Sequence, residues 1–76
     1  MNQPMYKIKF RDDGQSFTEW TLDKEGEVLD SKPFDAELWR GKKIDLNRLF
    51  KRKEVEILGG VILRYQVKKI EVLINN

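Results

Sequence analysis

VEILGGVILRYQVKKIEVLI, residues 55–74, decides the fold. Val55 and Ile57 share one face, and Val61, Leu63, Tyr65 and Val67 continue the same odd-numbered alternation. Strict period-two patterning marks strands that bury one side. Gly59-Gly60 turns the chain between them. A two-residue Gly-Gly loop would set Val55 against Arg64 and mix the faces. A three-residue loop, Leu58-Gly59-Gly60, sets Ile57 against Val61 and Val55 against Leu63, keeping the apolar face continuous.

Beyond Val67 the apolar phase flips to even numbers, at Ile70, Val72 and Ile74. One extra residue near Lys68-Lys69 does this, as a bulge that re-aims the strand. Helical spacing also fits Leu63, Val67, Ile70 and Ile74. Six β-branched residues between Val61 and Ile74 decide for strand, because branching at Cβ stiffens the side chain against a helical turn.

Toward the N-terminus, Tyr6, Ile8 and Phe10 alternate with Lys7 and Lys9, a half-buried strand. Asp12-Asp13-Gly14 supplies a turn. Phe17–Leu22 returns as a second strand with Thr18, Trp20 and Leu22 inward and Glu19 and Thr21 outward. Asp23-Lys24-Glu25-Gly26 makes the next hairpin loop, with Gly26 free to take a positive φ, and Glu27–Asp30 forms a short third strand. Residues 31–52 read as an irregular or helical insert. Pro33 disfavours a central strand. Asp35 can cap a helical turn carrying Phe34, Leu38 and Trp39 inward, with Gly41 ending it. Lys42–Leu46 reads as a brief extended piece, and Asp45 as the cap of a second helical turn containing Leu49 and Phe50.

The order is β-β-β, a short helical insert, then β-β. It predicts a mostly β fold: a small five-stranded barrel or strongly bent antiparallel sheet of OB-like or SH3-like type. Seventy-six residues make one domain, with residues 1–4 as a flexible N-terminus. Apolar residues amount to 39%, spread along the whole chain, and eight aromatics supply large buried areas, so disorder is not expected.

Composition narrows the chemistry. Cysteine and histidine are both absent, which removes disulfides, thiolate metal ligands and the commonest general base. Neither a phosphate-binding glycine loop nor a calcium loop is present. Asp12-Asp13 and Asp23/Glu25/Glu27 read as turn chemistry rather than a catalytic carboxylate pair. No enzyme, metal or cofactor is expected. No charged-then-apolar leader opens the chain and no run is long enough for a membrane span, so the reading is cytoplasmic.

The net charge of +2 conceals an asymmetry. Residues 1–39 carry five Lys/Arg against nine Asp/Glu, whereas residues 40–69 carry ten against three. Arg40, Lys42, Lys43, Arg48, Lys51, Arg52 and Lys53 interleave with Trp39 and Phe50, and Arg64, Lys68 and Lys69 extend the run if the last strand lies beside it. Cations neutralise phosphates and an aromatic face stacks on an exposed base, so this segment is the candidate nucleic-acid surface. The bland reading keeps Trp39 and Phe50 as core anchors and the charges as solvated surface. Glu19, Asp23, Glu25, Glu27 and Asp30 make strands two and three unfit for phosphate.

An alternative is a protein-binding adaptor or inhibitor. Phe17 is out of phase with Trp20 and Leu22, which exposes it beside Lys7 or Lys9. That surface is Phe17 and Glu19 on the acidic hairpin, or the loop holding Phe34 and Trp39. A third reading is self-association, the acidic half of one copy meeting the basic half of another.

Overall fold

A computed structural model describes residues 3–12, 16–33, 36–58 and 65–73. The strands are β1 (Tyr6–Asp12), β2 (Ser16–Leu22), β3 (Val28–Lys32), β4 (Lys43–Ile44), β5 (Glu54–Val55), β6 (Ile57–Leu58) and β7 (Tyr65–Val72). Helix α1 (Ala36–Trp39) lies between β3 and β4, and helix α2 (Leu46–Arg52) between β4 and β5. The chain is mostly β, as its alternation predicts.

Five strands form one antiparallel sheet in the order β3-β2-β1-β7-β5, and β4 pairs with β6. The sheet curls into a half-barrel. One segment carries the curl round: Glu54–Val55 pairs with β7, while Ile57–Leu58 pairs with β4, which meets the β3 side through a Glu27–Lys43 bridge.

The inner face is the apolar face of the sequence. Tyr6, Ile8 and Phe10 stand opposite Leu22, Trp20 and Thr18 on one side, and opposite Val72, Ile70 and Val67 on the other. Ile8, Phe10, Trp20, Leu22, Val28, Ile44, Leu49, Val55, Ile57 and Val67 form the buried core. Phe10 is its centre, edge-on to Trp20 at 4.9 Å and stacked on Tyr65 at 5.4 Å.

The phase flip in β7 is a bulge. Lys9 faces Lys69 while Phe10 faces Val67, so Lys68 is the extra residue. The bulge keeps both the odd-numbered Val67 and the even-numbered Ile70 on the inner side. Gly26 takes φ +91° in the β2–β3 loop, and the Asp23 carboxylate accepts the backbone N–H groups of Glu25 and Glu27, each at 2.9 Å. That self-contained turn accounts for an almost fully buried aspartate.

Four expectations need correction. Ser31 and Lys32 continue β3 and do not open the insert, because Ser31 pairs with Trp20 and Lys32 with Glu19; the Lys32–Pro33 bond that follows is cis. Leu38 is 56% exposed rather than inward, since α1 is one turn long and only Trp39 reaches the core. Phe50 is exposed as well, and of the two apolar residues named in α2 only Leu49 is buried. Val55 faces Tyr65 and not Leu63; Ile57 pairs with Ile44, and its expected pairing with Val61 lies outside the described residues. The strand divides at Glu56, whose carbonyl accepts the Asp45 N–H at 2.9 Å and whose carboxylate is held by Arg48. Phe34, Asp35, the Gly59-Gly60 turn, Val61, Leu63, Arg64 and Ile74 lie outside the described residues.

Candidate anion-binding surface

Helix α2 sets the site. Asp45 caps it, its carboxylate accepting the Arg48 N–H at 3.2 Å. Lys51 and Arg52 fall in the last turn, where the carbonyl end of the helix favours cations. Lys53 ends the helix in the left-handed region (φ 57°), donating its N–H to the Leu49 carbonyl at 3.0 Å. A non-glycine residue there carries strain that a glycine would not.

Immediately beyond, the Val67 N–H donates to the Lys53 carbonyl. This bond joins the end of α2 to β7, with the backbone of Lys53 against that of Val67, the residue before the bulge residue Lys68. Lys51, Arg52, Lys53 and Lys68 are exposed, and none has an ion-pair partner among the described residues.

Three other cations of the sequence-derived surface are ion-paired. Arg48 reaches the Glu54 carboxylate at 2.8 Å and also pairs with Glu56. These carboxylates, Glu54 foremost, raise the Arg48 pKa above its ordinary value. Arg40 donates from Nε to the Leu29 carbonyl at 3.2 Å and lies 3.9 Å from Asp30. Lys43 pairs with Glu25 at 3.7 Å. Lys42 is exposed, and its backbone is tied to Trp39 and Val28 at the β3 edge. Trp39 is half-buried and packs on Trp20 at 5.5 Å, a core anchor rather than a stacking platform. Phe50 is the exposed aromatic next in sequence to Lys51, in a T-shaped contact with Tyr6 at 5.1 Å between ring centres. Of the ten expected residues, Lys42, Lys51, Arg52, Lys53 and Lys68 are exposed cations without an ion pair among the described residues, and Arg64 lies outside them.

The outer face of the sheet holds a second group of charges. Phe17 is 37% exposed, with Lys9 Nζ 5.0 Å and the Arg11 guanidinium 4.9 Å from its ring centre. The alternation of Lys7, Lys9 and Arg11 along β1 is the signal for this cluster, and Arg11 is the member that the sequence reading passes over. Lys7 pairs with Glu19 at 3.7 Å and Lys69 with Glu71 at 2.8 Å, and Lys7, Lys9, Glu19, Lys69 and Glu71 line a depression on this face. Lys7 and Lys69 here have carboxylate partners and Lys9 and Arg11 an aromatic ring, whereas Lys51, Arg52, Lys53 and Lys68 have no ion pair among the described residues.

Among the described residues no group of acidic side chains is arranged to hold a metal ion, and no helix is long and apolar enough to cross a membrane. No known protein family, no curated protein and no solved structure matches the chain.

Proposed function

We propose that the chain is a non-catalytic binding module that docks on a polyanion, nucleic acid first among them, in a reducing cytoplasm. The observation that supports the reading is the Val67–Lys53 backbone bond, which ties the basic end of α2 to the strand that carries Lys68. Arg48 supports it by engaging Glu54 and Glu56, the carboxylates nearest in sequence to the cluster. Four cations without local partners suit phosphates, and Phe50 offers an aromatic face to an unstacked base.

Titration of the protein with fluorescent single- and double-stranded DNA and RNA at low salt tests this. For four phosphate contacts on duplex DNA, the log–log salt slope is about −3.6. Reversing Lys51, Arg52 and Lys53 to Glu abolishes binding. Absence of binding to every oligonucleotide at low ionic strength ends the proposal.

Phe17 motivates a second reading, a protein-binding adaptor. An exposed aromatic flanked by two cations offers both contact area and charge to a protein surface. Phe17→Ala would then remove a nuclease-resistant protein partner and leave the oligonucleotide titration unchanged.

A further inference from the structure

We propose that the chain self-associates through the open edge of β7, with two copies running antiparallel about Ile70 so that their sheets become one. The edge is specific. On the side away from β1, β5 covers only Tyr65 and Gln66, and Lys53 takes the Val67 N–H. From Lys68 to Val72 that side has no strand partner among the described residues.

Backbone geometry states which groups are on offer. The Leu73 N–H donates to the Met5 carbonyl, toward β1. Main-chain groups alternate along a strand, so those of Glu71 and Lys69 also point to β1, and those of Val72 and Ile70 point to the open edge. Two identical strands related by a two-fold axis must match outward groups with outward groups. The axis therefore passes through a residue, and charge selects which one.

An axis on Lys69 sets Lys69 against itself, and one on Glu71 sets Glu71 against itself; both place like charges directly opposite. An axis on Val72 sets Glu71 against Leu73 and leaves the charges unmatched. An axis on Ile70 lets the two Ile70 residues exchange both backbone hydrogen bonds. It also sets Lys69 against Glu71 of the second copy, twice over. Lys69 and Glu71 lie on the outer face, opposite Lys9 and Lys7, and already pair within one chain at 2.8 Å. The four charges then alternate in sign around the axis. On the inner face, half-buried Ile70 and Val72, which is 62% exposed, gain cover.

Lysines on an edge ordinarily block such pairing. Here Glu71, two residues from Lys69, turns that block into self-complementarity. The bulge at Lys68 limits the contact to about five residues per chain, so the interface is small and the association weak.

Sedimentation equilibrium of the whole chain between ~10 µM and ~1 mM tests it, that range bracketing a weak contact of this size. The weight-average mass should climb toward twice the monomer. Lys69→Glu alone and Glu71→Lys alone should each remain monomeric, because each creates like charges across the axis. An equimolar mixture of the two variants should form a heterodimer, and the double variant Lys69→Glu/Glu71→Lys should regain the parent's behaviour. Circular dichroism of each variant reports its fold independently. A monomer throughout the range overturns the proposal, as do single variants that dimerise like the parent. The Lys69 and Glu71 variants leave Lys51, Arg52, Lys53 and Lys68 unchanged, so the oligonucleotide titration tests the anion-binding reading separately.

Discussion

Trp20 donates its indole N–H to the hydroxyl of Ser31 at 2.9 Å, inside the core and across the β2–β3 pair. A buried indole needs an acceptor, and this one is supplied by the residue directly opposite. Ser31→Ala leaves that N–H without its acceptor at a buried site. The expected cost is about 1–3 kcal/mol, read as a lower urea midpoint with an unchanged slope. A midpoint equal to the parent's would show that the indole finds another acceptor.

Lys53 couples strain to the basic surface, so one substitution should move two properties in opposite directions. Lys53→Gly relieves the left-handed conformation, worth ~1–2 kcal/mol for a non-glycine residue, and gives back part of it as unfolded-chain entropy. A net gain of a few tenths to about 1 kcal/mol is expected in thermal or chemical unfolding. Oligonucleotide affinity should fall in the same variant, with the salt slope reduced by about one unit.

Gly26 is held by both conformation and space. At φ +91° an added Cβ would lie 2.7 Å from the Ile44 carbonyl oxygen and 3.1 Å from Leu46 Cγ. The Gly26 carbonyl also accepts the Ile44 N–H at 2.9 Å, so β4 cannot retreat without losing that bond. Gly26→Ala is therefore expected to destabilise by about 1–3 kcal/mol, with the loss spreading to Ile44 in amide exchange.

The hydrogen bond from Lys69 lowers the Glu71 pKa below the ordinary carboxylate value, with the charge attraction of Lys69 next and smaller contributions from Lys7 and Lys9. The same contact raises the Lys69 pKa. A carboxylate depressed in the folded state stabilises above its unfolded pKa, and the contribution fades as pH falls through the folded value. NMR titration of the Glu71 carboxyl carbon should give a midpoint below that of a free glutamate. Lys69→Met should move it back up. Both groups are solvent-exposed, so the effect on unfolding is expected to be slight.

What the sequence disclosed depended on whether a local rule or a long-range contact decided the outcome. Period-two alternation identified β1, β2 and β7, and the odd-to-even switch located the bulge at Lys68, because a one-residue slip would turn Ile70 outward. Asp45 and Gly41 announced their roles through capping chemistry. The partners of Val55 and Ile57 were not legible. Their separation at Glu56 depends on Arg48 and Asp45, eight and eleven residues earlier, and no periodicity encodes that. The basic run had the same fault: Arg40, Lys43 and Arg48 look alike in sequence to Lys51, Arg52 and Lys53. Only folding reveals that the first three already face Asp30, Glu25 and Glu54.

Met5 and Leu73 are joined directly, the N–H of Leu73 resting on the carbonyl of Met5 at 2.8 Å. Whatever is fused ahead of one and whatever is fused behind the other must leave from the same pole. Attachments made at Met5 and at Leu73 would therefore sit at the same end of the β1–β7 pair, and two cargoes placed there would be held as neighbours.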